Sequence, residues 1–340
     1  MTIREAIDLI VSHGRSLSED EAAAVMRDIM SGEATHAQIG AFLVALRLKG
    51  ETVDEIVGMA RVMREHALKV PVSEEAVVDT CGTGGDASGT FNVSTAAAFV
   101  VAAAGARVAK HGNRAMTSAC GSADVLEALG AKIDLGPEQV ARCLREVGIG
   151  FMFAQAFHPA MKHVAGPRRE IGVRTVFNVL GPLTNPAGAA HQLLGVARPE
   201  LAPLLAEALG RLGARHALVV HGHGGLDELS LSGPSSVHEL RDGALREYSV
   251  SPEDVGLSPA PNEAVRGGSP EENAAALRGV LDGKAGPLRD ITLLNAAAAL
   301  VAADLAGDLR DGVALAARAI DSGAAREKLD AFVALTGSFA

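Results

Sequence analysis

Residues 1–70 carry apolar side chains at helical spacing, broken at short intervals by signals that begin or end helices. The pattern over residues 2–12 predicts an amphipathic helix. Three capping boxes follow, each a Ser or Thr with Glu or Gln three residues later: Ser18 with Glu21, Thr35 with Gln38, and Thr52 with Glu55. Gly32 and Gly50 stand where two of these helices should end. Short connections between amphipathic helices predict a small antiparallel helical unit.

One of these helices is apolar on more than one face, because Leu43, Val44, Leu46 and Leu48 lie close together along it. One such face would pack into the core of the helical unit. The other could also be core, or it could be a surface that joins two copies of the chain.

The pattern changes after a linker at residues 70–73. Short apolar runs alternate with helices over residues 76–153, which is typical of a parallel sheet. Residues 217–220 predict a further buried strand, and three alternating runs predict an antiparallel patch: residues 229–231, 236–240 and 246–250. Residues 259–270 should form a loop, and residues 271–340 return to helices. The predicted fold class is α/β, with a small all-helical domain and a larger domain whose mainly parallel mixed sheet is flanked by helices.

The stretch over residues 78–95 combines a short strand, a glycine-rich loop and the start of an Ala-rich helix. Glycines let the backbone approach a ligand, and the first turn of a helix offers unpaired N–H groups at its positive end. Ser94 and Thr95 add hydroxyl groups there. A plain turn capped by Ser or Thr is the alternative. The loop lacks the Lys of a Walker A motif and the spacing of a dinucleotide fingerprint.

A second polar turn, Lys110-His111-Gly112-Asn113-Arg114, follows the next apolar run and leads to Gly121-Ser122 and another helix. Loops that follow neighbouring parallel strands meet at one edge of the sheet, where such folds bind ligands. This arrangement favours a phosphate-binding site over two unrelated turns.

Two later segments carry charged candidates. Residues 157–169 are basic and contain prolines, and Arg174 follows; such a segment is either a solvated face or an anion clamp. His221 and His223 could suggest zinc, but no third ligand is nearby. The adjacent acids Asp227 and Glu228 suit Mg²⁺ better, unless they are simply exposed loop residues.

Composition narrows the classes of protein. The chain has 340 residues, 48% of them hydrophobic, and a net charge of −10, with no Trp and one Tyr, so a nucleic-acid partner is not expected. No uncharged run reaches the roughly 18 residues of a membrane span, and the chain enters an amphipathic pattern without a signal peptide. Three cysteines without CxxC spacing indicate a reducing compartment, so we expect a cytoplasmic protein. Cys81 and Cys120 lie in the two loops, where a catalytic thiol is conceivable, although small residues of any kind suit those places.

Taken together, the motifs resemble the anthranilate phosphoribosyltransferase family of tryptophan biosynthesis over nearly the whole chain. The six matching blocks are Gly82-Thr83-Gly84-Gly85-Asp86, Asn92-Val93-Ser94-Thr95, Lys110 to Arg114, Gly121 to Glu127, Phe177 to Pro186 and Gly225-Leu226-Asp227-Glu228. The resemblance implies transfer of the phosphoribosyl group from phosphoribosyl pyrophosphate (PRPP) to the amine of anthranilate, with Mg²⁺ and release of pyrophosphate. It also implies a helical domain of residues 1–70 plus about 162–186, an α/β domain of residues 71–161 plus 187–340, and a homodimer joined through the helical domain.

The resemblance assigns site residues one by one. PRPP would be bound by Gly82, Gly85, Asp86, Thr90, Asn92, Val93, Ser94, Thr95, Lys110, His111, Gly112, Asn113, Arg114, Ser118 and Ser122. Anthranilate would be bound by Gly82, Asn113 and Arg168, and Mg²⁺ by Ser94, Asp227 and Glu228, with no general base assigned. Residues 116–120 depart from the usual Ser-rich segment with a basic residue, which puts phosphate contacts from residues 119 and 120 in doubt.

Two other functions share this architecture. A pyrimidine nucleoside phosphorylase would use inorganic phosphate, and Asp227, Glu228 and Arg168 argue against it. A nucleic-acid-binding relative of the same fold is opposed by the acidic, aromatic-poor composition.

Overall fold

The computed structural model describes residues 1–72, 77–86, 88–115 and 119–339. Its N-terminal helices are α1 (Ile3–His13), α2 (Glu19–Ser31), α3 (His36–Lys49) and α4 (Val53–His66). The three predicted capping boxes are confirmed, and Thr2 with Glu5 forms another at the start of α1. Local side-chain chemistry therefore sets the limits of these helices, and their apolar faces pack into a bundle.

The larger part of the chain is built on one mixed sheet. Its strands are β1 (Val77–Gly82), β2 (Arg107–Gly112), β3 (Ile149–Phe153), β4 (His191–Gly195), β5 (His216–His221), β6 (Ser235–Arg241) and β7 (Ala244–Val250). Within the described residues they form a seven-stranded sheet in the order β3-β2-β1-β4-β5-β6-β7, parallel from β3 to β5 and antiparallel beyond. The strand order reverses between β1 and β4, which makes that point the expected place for a ligand.

Further helices flank the sheet on both faces. They are α5 (Val93–Ala103), α6 (Ser122–Ala128), α7 (Pro137–Glu146), α8 (Ala154–Phe157), α9 (Lys162–Ile171), α10 (Phe177–Leu180), α11 (Leu201–Arg211), α12 (Pro270–Leu281), α13 (Pro287–Ala302), α14 (Leu309–Asp321) and α15 (Ala324–Gly337). Short 3₁₀ turns lie at Pro159–Met161, Gly181–Leu183, Pro252–Val255 and Asn262–Val265. The predicted α/β class, with its helical unit and mainly parallel mixed sheet, is confirmed.

The two faces of the sheet belong to different apolar cores. Leu193 of β4 packs with α5 and α13, whereas its neighbour Leu194 packs with the N-terminal bundle and α11. Helix α9 contacts α3, and α11 contacts α4 on one side and β5 and β6 on the other. The bundle therefore rests directly on the outer half of the sheet. The division into domains that the resemblance implies stays a prediction.

One local expectation needs correction, and two features were not predicted. Residues 229–231 are not a strand, because the backbone N–H and C=O of Leu229 both bond to the side chain of Asn295 on α13. Strand β4 was not predicted, since its buried run begins with His191 and Gln192. The basic, proline-containing segment forms helix α9, which continues through Pro167. In each case tertiary contacts decide what the local pattern leaves open.

Among the described residues, no helix combines the length and the apolar character that crossing a membrane would require.

Candidate active site

The loops that follow β1 and β5 cross each other at the carboxyl edge of the sheet. Gly82 and Gly195 are paired at the ends of β1 and β4. A Cβ atom at Gly195 would lie 1.6 Å from the carbonyl oxygen of Asp227, and one at Gly82 would lie 2.4 Å from its Oδ2 atom. Both strands therefore end in glycine because the loop that carries Asp227 is folded directly over them.

Two adjacent carboxylates gather at this crossing. Asp227 Oδ2 accepts a hydrogen bond of 2.7 Å from the backbone N–H of Gly84. Burial, with the negative charge of Asp86, raises the pKa of Asp227 to about 7. Burial, with the charge of Asp227, raises the pKa of Glu228 well above its usual value, although the N–H of Ser94 partly opposes this. Acids that repel each other in a buried place are stabilised by a bound cation.

Lys110 brings positive charge to the same place from β2. Its side chain is buried, and its Nζ donates to the carbonyl oxygen of Thr80 and, at 3.2 Å, to the hydroxyl of Ser94 at the start of α5. Burial lowers the pKa of Lys110, while Asp79 and Glu228 favour its charged form. The structure thus brings Ser94, Lys110 and Glu228 together at the first turn of a helix.

The donor set fits Mg²⁺ better than a transition metal. Within the described ranges, no three His, Cys, Asp or Glu side chains converge closely enough to enclose a metal. A hard cation is commonly held by one or two carboxylates and completes its shell with water and substrate oxygens. Asp227, Glu228 and the hydroxyl of Ser94 supply such oxygens, and their assignment to the metal stays a prediction.

The glycine loop is held from outside by an arginine. Arg174 Nη2 donates to the carbonyl oxygen of Thr83 at 2.9 Å. A Cβ atom at Gly85 would lie 1.4 Å from Arg174 Nη1, and Gly85 also has a φ of +77°. Gly85 is therefore required both by its backbone conformation and by the guanidinium packed against it. Asp86, next along the loop, accepts a 3.3 Å bond from the N–H of Ser88.

The predicted PRPP residues at the start of α5 differ in their burial and in their hydrogen-bond partners. Val93 and Thr95 are buried, and the Oγ1 atom of Thr95 has no hydrogen-bond partner among the described residues. Asn92 accepts a 2.9 Å bond from Asn273 Nδ2 and donates to the carbonyl oxygen of Cys120. Of the block 92–95, Ser94 alone is placed beside both Lys110 and Glu228. Thr90, just before it, forms a backbone bridge with Arg266.

In the second loop, several predicted residues brace one another. The backbone oxygen of Asn113 accepts a 3.3 Å hydrogen bond from the Ser122 hydroxyl. The side-chain oxygen of Asn113 accepts a 2.8 Å hydrogen bond from the N–H of Arg114. A Cβ atom at Gly112 would lie 2.2 Å from Ser122 Oγ. The guanidinium of Arg114 is exposed and bonds to Glu127 and Asp124 on α6. The role of Arg114 in binding PRPP stays a prediction, and these contacts do not support it. Ser118, also assigned to PRPP, lies outside the described residues.

His111 faces another histidine rather than an open cleft. Its Nε2 atom lies 3.2 Å from Nε2 of His158, and both rings are buried. Burial lowers the pKa of His111 to about 3 and that of His158 to about 4, so both are neutral at pH 7. One ring then donates to the other, which joins β2 to the segment between α8 and α9.

The sequence analysis missed a buried acid beneath these loops. Asp79 of β1 is fully buried and accepts bonds from the N–H of His111 at 3.1 Å and from Asn185 Nδ2 at 2.8 Å. Asn185 also donates to the carbonyl oxygen of Ala109 at 2.8 Å. Burial raises the pKa of Asp79, while Lys110 opposes that effect. An acidic residue within the apolar run of β1 was the available signal.

Arg168 lies on α9 with its guanidinium 5.5 Å from the ring centre of Phe177. It is partly buried, and burial lowers its pKa, with a further contribution from the charge of Arg174. It forms no ion pair with any residue that the structure describes. Its neighbour Arg169 is exposed. Arg168 is thus a cation held against an aromatic ring and open to an anionic ligand.

The alternatives that used cysteine or zinc gain no support. Burial raises the pKa of the Cys81 thiol well above its usual value and that of Cys120 to about 11, so both stay protonated at neutral pH. His221 Nδ1 lies 2.8 Å from the carbonyl oxygen of Val196, and His223 Nδ1 lies 3.0 Å from the Ser232 hydroxyl.

Comparison with known proteins agrees with this architecture. Residues 4–67 match the helical bundle domain of a glycosyl transferase family, and residues 74–326 match its a/b domain. The fold therefore defines a glycosyl transferase with a helical unit set beside a mixed sheet.

The relatives specify the family further. The chain is 62% identical to the anthranilate phosphoribosyltransferase of Symbiobacterium thermophilum over 320 residues, which is 94% of each chain. The crystal structure of the Thermus thermophilus enzyme of that name is 50% identical, with a TM-score of 0.93 over 98% of this chain and 99% of that one. The Saccharomyces cerevisiae enzyme in complex with PRPP and Mg is 29% identical, with a TM-score of 0.91 over 99% and 98%. The chain belongs to the anthranilate phosphoribosyltransferase family.

Proposed function

We propose that the protein transfers the 5-phosphoribosyl group of PRPP to the amine of anthranilate, giving N-(5-phosphoribosyl)anthranilate and pyrophosphate, as a step of tryptophan biosynthesis. The observation that carries this proposal is the meeting of the glycine loop, Lys110 and the Asp227–Glu228 pair at the carboxyl edge of the sheet. A phosphate cradle, a cation and a pair of acids suited to Mg²⁺ are what a pyrophosphate leaving group requires.

In this reaction the amine nitrogen attacks the anomeric carbon, a C–N bond forms, and the C–O bond to pyrophosphate breaks. The leaving group takes the bonding electrons, and the nitrogen loses a proton to solvent. An aryl amine is already neutral at pH 7, so a strong base is not needed and positioning contributes most. We therefore assign no residue as a general base.

Mg²⁺ bound by Asp227, Glu228 and Ser94 would supply Lewis-acid neutralisation of the pyrophosphate charge. The chain itself contributes Lys110, whose Nζ lies 3.2 Å from the Ser94 hydroxyl, and the N–H groups at the start of α5. These groups add fixed positive potential where negative charge develops. The solved structure of the Saccharomyces cerevisiae relative in complex with PRPP and Mg supports a role for Mg²⁺ in binding the donor.

Anthranilate has one anionic group, its carboxylate. Arg168 has no ion-pair partner among the described residues and is held against Phe177, so we assign it to that carboxylate. Asn113 and Gly82 lie at the ends of β2 and β1 and complete the predicted anthranilate set.

The assignment predicts a simple optical result. Anthranilate is fluorescent, and its signal should decay only when the protein, PRPP and Mg²⁺ are all present. Replacing PRPP with ribose 1-phosphate or inorganic phosphate should give no change, which separates this activity from that of a nucleoside phosphorylase. A constant signal from folded protein supplied with Mg²⁺ would overturn the proposed function.

We also infer a cytoplasmic homodimer joined through the helical unit. The cysteines of the described residues are unpaired thiols, as a reducing compartment favours. On α1 and α3, which pack together, Val11 is 67% exposed and Leu48 is 82% exposed, and Val44 is also exposed. Apolar side chains exposed together on one helical unit are typical of a contact between subunits.

The dimer predicts that Leu48→Glu produces monomers. Burying a leucine contributes roughly 1.5 to 3 kcal/mol, so inserting a carboxylate there should weaken association at least tenfold. Sedimentation equilibrium measures the change. Leu245→Glu on β7, also at an exposed leucine, is the matched control and should remain dimeric. Wild-type protein that sediments as a monomer, or equal losses in both variants, would place the contact elsewhere.

A further inference from the structure

A cavity of about 200 Å³ lies between the helical bundle and the glycine loop. Among the described residues that line it, three are arginines, and each comes from a different part of the chain: Arg47 on α3, Arg174 after α9 and Arg198 after β4. Gly85 and Asp86 of the glycine loop form the wall nearest the proposed donor site.

The positive charge of these arginines is only partly neutralised by ion pairs. Arg198 bonds to Glu200 at 2.7 Å, but neither Arg47 nor Arg174 forms an ion pair with a described residue. Burial lowers the pKa of Arg174; the charges of Asp227 and Asp86 raise it, and those of Arg198 and Arg47 lower it further. Arg47 and Arg174, which have no carboxylate bonded to them among the described residues, would be stabilised by a bound anion.

The acids in the wall offset only part of this charge. Glu51 lies at the bundle side, and Asp86 bonds to the hydroxyl and N–H groups of Ser88 and acts electrostatically on Asp227. Asp86 therefore belongs to the boundary with the predicted Mg²⁺ site. The described lining thus contains three guanidinium groups and two carboxylates, and Glu200 bonds to Arg198 beside it. A planar guanidinium binds phosphate oxygens through two parallel hydrogen bonds.

The cavity shares Gly85 and Asp86 with the predicted PRPP set and extends beyond that set to the helical bundle. Arg174 lines the cavity and packs against Gly85, which the cavity and the predicted PRPP set share. Lys110 and Ser94, which mark the donor site, are absent from the described lining of the cavity. An anion leaving the crossing of the two loops past Gly85 would enter this space.

We propose that the arginine cavity is a second anion subsite, which receives free pyrophosphate after transfer and lies on its way out of the enzyme. The inference rests on the proposed function, because the transfer reaction is the source of the pyrophosphate. The chemistry it requires, a diphosphate held by Arg47, Arg174 and Arg198, can be tested by binding alone.

The test is calorimetric titration of magnesium pyrophosphate into protein already saturated with PRPP, in the absence of anthranilate. One further binding event is expected. Arg47→Ala should weaken it about tenfold, because a hydrogen-bonded charge is lost, and Arg47→Lys should weaken it less. Arg27→Ala removes an exposed arginine from α2 of the same bundle and should leave the event unchanged. The KM for PRPP should stay within about twofold in Arg47→Ala, since this residue lies outside the donor site.

Several outcomes would overturn the subsite. They are the absence of binding to PRPP-saturated protein, an equal effect of Arg27→Ala, a parallel rise in the KM for PRPP, or displacement by anthranilate at the same site. The proposed function fails separately, through the fluorescence assay. If no transfer occurs, titration of the unliganded protein still shows whether pyrophosphate binds in a way that depends on Arg47.

Discussion

Asp227→Asn combined with Glu228→Gln should lower kcat/KM by about a hundredfold or more. The substitutions keep the volume of both side chains and remove the charge that would hold Mg²⁺ beside the leaving group, and losing one such stabilising group commonly costs 10²- to 10³-fold in rate. Activity should return in part at high Mg²⁺. Steady-state kinetics over a range of Mg²⁺ concentrations measures both effects.

Stability gives a second readout of the same variant. The pKa of Asp227 is raised to about 7 in the folded protein, so the folded state binds a proton more tightly than the unfolded state does. Its carboxylate therefore opposes folding at neutral pH, most strongly above pH 7, and this penalty disappears as the pH falls below the unfolded value. Without Mg²⁺, the double variant should melt at the wild-type temperature or higher, and Mg²⁺ should raise Tm in the wild type alone.

The exposed pair Glu253 and Asp254 provides a matched control, since it is also an adjacent Glu and Asp. Glu253→Gln with Asp254→Asn should keep wild-type activity and Mg²⁺ dependence. Wild-type Mg²⁺ dependence in the Asp227 and Glu228 variant would show that these acids are not metal ligands.

Arg168→Ala should raise the KM for anthranilate roughly ten- to hundredfold. A hydrogen bond to a charged group contributes about 1.5 to 3 kcal/mol, and the alanine removes the fork that would hold the carboxylate. The KM for PRPP should change little, because the glycine loop and Lys110 are left intact. Kinetics with each substrate varied in turn separates the two constants.

Arg169 is the control for this substitution. It is the next residue on α9 and is exposed, so Arg169→Ala should behave as wild type. A rise confined to the KM for PRPP, or equal effects at positions 168 and 169, would move Arg168 to a phosphate or to the solvated surface.

The parts of the fold that depend on local chemistry could be predicted from the sequence. The capping boxes that begin with Ser18, Thr35 and Thr52 set helix starts because both hydrogen bonds lie within four residues. The two glycine-bearing loops were likewise recognisable, because a short strand, a polar turn and a helix start follow one another directly. The family resemblance added the residue roles that local patterns could not.

Contacts between distant segments could not be predicted in the same way. Gly195 is required because Asp227 crosses above it, and the sequence contains no sign that residues 195 and 227 meet. The pairing of Arg174 with the glycine loop also joins segments about 90 residues apart. The bonds from Arg114 to Glu127 and Asp124 on α6 were not predicted either, and its role in binding PRPP stays a prediction.

The apolar core beneath the helical bundle limits how this enzyme could be recombined with its relatives. The helical and a/b family regions meet between residues 67 and 74, but the core does not divide there. Leu194 of β4, Val219 of β5 and Leu205 of α11 pack into the same core as the bundle residues Phe42 and Met59. A chimera that exchanged only the N-terminal helices would therefore set one protein's side chains against a surface shaped for another's. Each volume mismatch in a close-packed core typically costs about 1 to 3 kcal/mol. The natural unit of exchange is the bundle together with α11 and the outward-facing residues of β4 and β5.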